Sequence, residues 1–473
     1  MTTEIKPQNI FQAGFTSLNH ETSLENLPVI GAIPEWLAGS LYRNGPAKFE
    51  AAGGEYKHWF DGFAMLHRFS FNNSQVSYRN RFLLTPVYRE ALETGRLSPA
   101  FSGVKLAPGV EAGPPNKNAY FNPDVNIMVA GGRYLALTEI PVALEFGSEE
   151  LNTLNAFNYD GLLDCQVFGA HPHYDFNEKR IYNLGVKFGR QSYYQFYAFD
   201  AGRARPRKVA EVPVAEPAYL HSFAMTENYL IIVEFPLVVN PVDLLTSGKP
   251  FIENYRWEPQ RATNFIVVSK ATGQVVNNYQ AEAFFAFHQV NAFEKGSEII
   301  VDLPATGQFT ADQSLLLDNL KAQTTGNPDP ARFRRYRLSM QQNQTEFEIL
   351  NPLLAEMPAI NYRHYNAREY RYAYAVSNNR SQPEGFENQL IKLDVYSREL
   401  RIWREAGCYP GEPVFVASPQ SVSEDDGVLL TVILDGKSGK SFLLVLDAAT
   451  FEELGRAYLP HHIPFGLHGI FTA

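Results

Sequence analysis

The phrase "NFIVVSKATGQVV", residues 264–276, sets the architecture. Phe265, Ile266, Val267 and Val268 favour an extended, half-buried backbone, Thr272-Gly273 supplies a turn, and Val275-Val276 begins a second extended run. It reads as a β-hairpin. The same form recurs in "LDVYSRELRIW" (393–403) and "LDAATFEEL" (446–454). Further strand-like runs are "YLALTEIPV" (134–142), "RIYNLGVKFG" (180–189), "YYQFYAFD" (193–200), "YLIIVEF" (229–235), "EIIVDL" (298–303) and "YRYAYAV" (370–376). Helical periodicity is sparse and is expected only over 86–95 and 311–323. Hairpins repeated along 473 residues predict radial repetition, as in a propeller, rather than a sandwich. No composition shift or flexible linker divides the chain, so a single domain is expected over 1–473, with about residues 1–20 as an N-terminal extension.

Composition narrows the function classes. With 45% hydrophobic residues the chain can bury a large core, and a net charge of −10 without a basic block speaks against nucleic acid as a partner. Two cysteines, Cys165 and Cys408, are too few to staple a chain of this length, which points to a reducing, cytoplasmic setting. No apolar run approaches the roughly 18 residues of a membrane span. "GKSGKS" at 436–441 lacks the first glycine of a phosphate-binding loop, since Leu434 stands there, and it joins two strand-like runs. It is expected to be a hairpin turn.

"FFAFHQVNAF", residues 284–293, poses a different question. A buried imidazole must satisfy two ring nitrogens, so His288 is costly among phenylalanines unless something there needs it. Three other histidines share this setting: His171 in "FGAHPHYD", His221 in "AYLHSFAM" and His468 in "PFGLHGIF". Spread from residue 171 to 468, they suit one ligand from each of several repeated units converging on a propeller axis. His20, His58, His67, His173, His364, His461 and His462 lie in more polar or turn-like surroundings. Structural zinc sites usually include cysteine, whereas all-imidazole coordination with open positions suits iron(II) and oxygen chemistry; composition leaves both open. Metal-bound imidazoles normally give their second N–H to a carboxylate, and Glu139 in "LALTEIP", Glu356 in "LAEMPAINY" and Glu412 in "YPGEPVFVASP" have fitting surroundings.

Eight segments in order, "LYRNGPAKFE" (41–50), "HWFDGFAMLHRFSF" (58–71), "AHPHYD" (170–175), "YLHSFAMTENYLIIVE" (219–234), "FHQVNAFE" (287–294), "EMPAINYR" (356–363), "YPGEPVFVASP" (409–419) and "LHGIF" (467–471), resemble the signature segments of the carotenoid cleavage oxygenases. The resemblance runs from about residue 20 to the C-terminus. It implies an all-β, seven-bladed β-propeller with a helical and loop dome over a central iron. It further implies that His171, His221, His288 and His468 bind Fe2+, supported by Glu139, Glu356 and Glu412. Many members place threonine before the asparagine of the segment matching "DVNIM", where its methyl crowds an open iron position; Val125 stands there here and keeps a branched methyl without a hydroxyl.

The implied activity is oxidative cleavage of one C=C bond of a carotenoid or apocarotenoid by O2, giving two carbonyl products. Retinoid isomerohydrolase-like chemistry is the alternative within the family, and stilbene cleavage is disfavoured by Thr138, which stands where the phenol-binding lysine would be sought. A non-catalytic propeller that binds an apolar ligand is the alternative of another class. Because carotenoids live in membranes, peripheral membrane contact is expected through "FPLVVNPVDLLTSG", residues 235–248, with Phe235, Leu237, Val238, Val239, Leu244 and Leu245 as the apolar patch.

Overall fold

Hairpin after hairpin closes along the chain, because each apolar run is followed by a turn and pairs with its successor. A computed structural model describes residues 10–98, 102–110, 121–322, 329–379 and 386–473. Among them are seven sheets of four to six strands, together with a two-stranded and a three-stranded sheet. Sheet four is representative: Ala224–Met225, Tyr229–Glu234, Thr263–Ser269 and Val275–Ala281 form an antiparallel meander, and the last two are the hairpin of residues 264–276. The architecture is a β-propeller.

Two exchanges of strands join the ends of the chain. Gly469–Thr472 leaves the C-terminus to pair with Gly39–Lys48 of the first sheet, setting Arg43 opposite Gly469. Val29–Gly31 from the N-terminal side pairs with Glu453–Tyr458 of the last sheet, Val29 opposite Ala457. A glycine is needed at 469, since a Cβ there would collide with the Tyr42 carbonyl oxygen. The seam is packed by Leu41, Phe69, Tyr78, Leu430, Leu443 and Val445, all buried. Of the N-terminal extension, residues 1–9 lie outside the described residues; from Ile10 onward the chain is tied down, with Phe15 buried edge-on against Trp59 and Phe465.

Most expected strands form, and the turn expected at 436–441 joins Gly427–Asp435 to Lys440–Asp447. Three expectations need correction. "YLALTEIPV" stops being a strand after Leu137, so Glu139 lies in the following connection. The helix expected over 311–323 is two short helices, Ala311–Ser314 and Leu317–Ala322, with Gln323 outside the described residues. The break arises because this segment pairs its backbone with 57–59: Trp59 N–H donates to the Leu315 carbonyl and Leu317 N–H to that of Lys57.

The third correction concerns the apolar patch of 235–248. Phe235, Leu237, Val238 and Val239 are core, because Leu237–Val238 forms a short strand pair with Arg256–Trp257 and Phe235 packs on Phe284 and Phe285. The exposed apolar residues belong to the helix Pro241–Thr246, where Leu245 is 88% and Val242 58% exposed. No helix among the described residues is long and apolar enough to cross a membrane.

Deleting residues 467–473 removes the C-terminal strand from the first sheet and uncovers Arg43 and Leu41. The truncated protein is expected to melt well below the full chain or to be insoluble, although short terminal deletions are usually tolerated. An unchanged circular-dichroism melting curve would show that this strand is peripheral to the closure.

Candidate metal centre

Seven side chains, one from each large sheet, define the centre. Each histidine lies just before the edge strand of its own sheet: His171 before His173–Asp175, His221 before Ala224–Met225, His288 before Asn291–Lys295, and His468 before Gly469–Thr472. Each thus stands one to three residues ahead of the strand rather than on it. Edge strands carry a free side towards the middle of the array, so the segment entering each one can turn its side chain inward. The other three sheets supply Glu139, after Arg133–Leu137; Glu356, at the start of Glu356–Ala359; and Glu412, between Cys408–Pro410 and Val414–Ala417.

The four imidazoles offer ligand atoms that all lie within 4.8 Å of one another, a group that could hold a metal ion. The Nε2 atoms of His171 and His221 are 2.9 Å apart, and those of His288 and His468 are 3.0 Å apart. On the outer side, the Nδ1–H of His221 donates to Glu139 Oε1 at 2.5 Å, that of His288 to Glu356 Oε2 at 2.9 Å, and that of His468 to Glu412 Oε1 at 2.6 Å. An ionised carboxylate can only accept, so these bonds place the proton on Nδ1 and leave the Nε2 lone pair facing inward. Two such lone pairs at hydrogen-bond distance repel unless a cation lies between them. The donor set therefore fits a metal ion.

Burial keeps the His171 and His468 rings neutral. It pushes the His171 pKa well below its ordinary value, helped by the neighbouring histidines, and brings that of His468 down to about 4 against the opposing pull of Glu412. Glu412 answers to two partners. Burial alone would raise its carboxyl, but His468 and Arg43 together hold it below the usual carboxylate range. The Arg43 guanidinium pairs with Glu412 Oε2 and also donates to the Leu467 carbonyl at 2.8 Å, and the Gly469 N–H adds a third donor to Glu412 at 3.1 Å. Glu139 accepts from the Tyr219 hydroxyl at 3.1 Å, and Glu356 from the Met357 N–H at 3.2 Å. Among the described residues no carboxylate bonds His171.

Two cavities meet at the histidines. The larger, about 760 Å³, runs from the helix Pro241–Thr246, with Val242, Leu244 and Leu245 in its wall, past Phe251 and Val167 to His221. The smaller, about 150 Å³, is lined by Trp59, Phe287, Met357, Phe386 and Phe465 and reaches His221, His288 and His468. Phe60, Val125 and His221 line both. Val125, 9% exposed, thus stands at the constriction, and its carbonyl accepts the His468 N–H at 3.1 Å. Of the phenylalanines around His288 only Phe287 lines a cavity; Phe284 and Phe285 are core.

Sequence reading missed four polar residues here. Arg43 and Tyr219 orient the glutamates, and each had a signal in a polar group inside an apolar segment, "LYRNGP" and "AYLHSF". Asp124 and Glu387 had none. Asp124 is 2% exposed in the wall of the larger cavity, its carboxyl raised well above the ordinary value by burial first and then by Asp61 and Glu139.

Replacing His221 or His288 by Ala leaves three imidazoles, and bound divalent transition metal in the purified protein is expected to fall from stoichiometric to a small fraction. Glu356→Gln should weaken metal affinity by roughly 10–100-fold, the usual cost of losing a carboxylate behind a ligand. Glu412→Gln should add a loss of stability of about 3 kcal/mol, because it strands the buried Arg43 guanidinium. Metal analysis with parallel denaturant melts separates these outcomes; equal stability of the two glutamine variants would refute the role given to Arg43.

The chain as a whole is similar to known proteins. The chain matches the family described as "Retinal pigment epithelial membrane protein" (RPE65) over residues 15–473. It is 32% identical to the mitochondrial carotenoid-cleaving dioxygenase of Mustela putorius furo, over 97% of this chain and 95% of that protein. It is equally 32% identical to a carotenoid isomerooxygenase of Galleria mellonella, over 94% and 92% of the two chains. A solved variant of Synechocystis apocarotenoid oxygenase superposes with a TM-score of 0.88 at 26% identity, covering 99% of each chain. A cobalt-substituted form of the same Synechocystis enzyme superposes with a TM-score of 0.87. The protein belongs to the retinal pigment epithelial membrane protein family, that of the carotenoid cleavage oxygenases.

Proposed function

We propose that this protein is an iron(II)-dependent dioxygenase that cleaves one C=C bond of a carotenoid or apocarotenoid. One O2 is consumed, each alkene carbon gains one oxygen atom, and two carbonyl products leave. The observation that carries this reading is the cluster of four imidazoles beside two apolar cavities, one reaching His221 and the other His221, His288 and His468. Its names come from relatives called carotenoid-cleaving dioxygenase and apocarotenoid oxygenase. We assign His171, His221, His288 and His468 as iron ligands, and Glu139, Glu356 and Glu412 as the groups that fix the ring tautomers. The whole chain is read as one propeller domain with each of the seven large sheets as a blade.

Iron held there would supply the redox chemistry that activates O2. The residues around it position and exclude. His171, His221, His288 and His468 would hold the ion through uncharged ring nitrogens, so its positive charge would not be cancelled by its ligands. Val125 narrows the passage beside His221, so the polyene can pass only in a restricted pose, and the bond at the constriction is the one exposed to reaction. Aromatic walls grip a hydrocarbon and keep water from the reacting atoms.

The Galleria relative favours a second reading, in which cleavage is coupled to isomerisation of a remaining double bond. Incubation of iron-loaded protein with C40 carotenoids and apocarotenals under 18O2, followed by chromatography and mass spectrometry, tests both. Label in two carbonyl products is the expected result, and product double-bond geometry distinguishes the second reading. Polyene loss without O2 uptake would sink the dioxygenase assignment.

The larger cavity opens beside exposed Leu245 and Val242, flanked by the exposed cations Lys249 and Arg190. We place peripheral membrane contact there rather than at the buried 235–239. Converting Val242 and Leu245 together to Ser should lower co-flotation with phosphatidylglycerol-containing vesicles several-fold. Unaltered flotation would reject this surface.

A further inference from the structure

The smaller cavity contains one polar side chain with no assigned task. Of its polar lining, His221, His288 and His468 face one another, Glu356 holds His288, and the Trp59 indole N–H donates to the Phe465 carbonyl at 3.0 Å. That leaves Glu387. Its Oε2 atom is buried and has no hydrogen-bond partner among the described residues. The neighbouring backbone is pinned on both sides: Asn378 donates to the Phe386 carbonyl at 3.0 Å, and Asn388 N–H donates to the Ser377 carbonyl at 3.0 Å. Phe386 stacks on Phe465 with ring centres 4.4 Å apart. The carboxyl is thus held against an apolar chamber at a place where a hydrocarbon residue would pack without penalty.

A buried carboxyl oxygen without a partner is costly, and native structures rarely keep one for packing alone. We propose that Glu387 is the specificity residue of this chamber, hydrogen-bonding an alcohol or carbonyl oxygen at the end of the polyene arm that passes the metal. The preferred substrate is then a polyene bearing oxygen on its inner arm, in preference to one ending there in hydrocarbon. This inference rests on the oxygenase reading above for the identity of the ligand as a polyene. Burial first, and then the charge of Glu356, pushes the carboxyl up to about 7, so a neutral acid able to donate to a carbonyl is available near neutral pH. As carboxylate it accepts from a hydroxyl. The acids that line the larger cavity, Asp61, Asp124 and Glu139, do not line this chamber.

The test uses full-length, iron-loaded protein and polyenes of matched length that end in an alcohol, an aldehyde or hydrocarbon. Trp59 lines the chamber, so binding is read by quenching of tryptophan fluorescence without need of turnover. Wild type should bind the oxygen-bearing polyenes about tenfold tighter than the hydrocarbon, the factor one well-made hydrogen bond returns. Glu387→Leu should abolish that preference and improve hydrocarbon binding, while Glu387→Gln should retain most of it, with bound iron unchanged in both. A wild type that shows no preference overturns the proposal, as does a leucine variant that keeps it. Should the leucine variant fold poorly, the wild-type preference and the glutamine variant still decide. Failure of the oxygenase reading looks different: preference for oxygen-bearing polyenes that depends on Glu387, with no O2-dependent cleavage of any of them, upholds the anchor and removes the chemistry.

Discussion

Four imidazoles whose ligand atoms converge within 4.8 Å of one another, three of them with the Nε2 lone pair held inward, form an arrangement that calls for a cation, and the rest of the molecule is built to impose it. Three carboxylates hold the Nδ1 protons of His221, His288 and His468 outward at 2.5 to 2.9 Å, so rotation of any ring would break a charge-assisted hydrogen bond in a buried place. The carboxylates are held in turn. Glu412 has Arg43 and the Gly469 N–H, and Glu139 has the Tyr219 hydroxyl. Removing the outer layer would free the rings to pair with each other through a shared proton, and the cluster would no longer present four ligands.

Such a cluster asks for a scaffold that brings seven distant segments to one place without letting any of them move. A propeller does so because the sheets surround a common axis. The weak point of that geometry is the join, and here both chain ends cross it. Gly469–Thr472 pairs with Gly39–Lys48 immediately after His468, and Arg43, on the strand it joins, reaches back to Glu412 in the last sheet. Ring closure and metal geometry therefore share the same residues. A strain at the seam is felt at the fourth histidine, and the buried Arg43–Glu412 pair contributes to registry as much as to stability.

Much of this could be read from residue order alone, for a physical reason. Hairpins are local, so "NFIVVSKATGQVV" declares two strands and a turn with no knowledge of the rest of the chain. Likewise His288 among phenylalanines is anomalous within ten residues. Long-range pairing leaves no such mark: nothing in "GIFT" says that it joins a strand more than four hundred residues earlier, and nothing in "PLVVNP" separates a core strand from an exposed patch. Val238 and Leu245 look alike in sequence, yet one is fully buried and the other 88% exposed, because burial depends on what arrives from Arg256–Trp257. The broken helix at 315–316 has the same origin, a tertiary backbone pairing with 57–59 that local propensity cannot announce. Asp124 and Glu387 were invisible for a third reason. An acidic residue in a polar-looking loop is ordinary until the cavity beside it is known.

The two cavities also differ in kind, and the difference bears on how one metal centre can serve a long, nearly featureless substrate. A polyene offers few polar handles, so hydrophobic burial alone would let it slide along its own axis with little change in free energy, and several double bonds would visit the metal. Register must be fixed by an end. The larger cavity opens past Val242 and Leu245 and gives the outer arm apolar walls and a way out, with little to stop translation. The smaller is lined by Phe386, Phe465 and Trp59 and carries Glu387, the one group proposed here to hold a polar terminus at a set distance from Val125 and His221. On that proposal bond selection follows from the distance between Glu387 and the metal rather than from any recognition of the reacting bond itself, which is chemically almost identical to its neighbours.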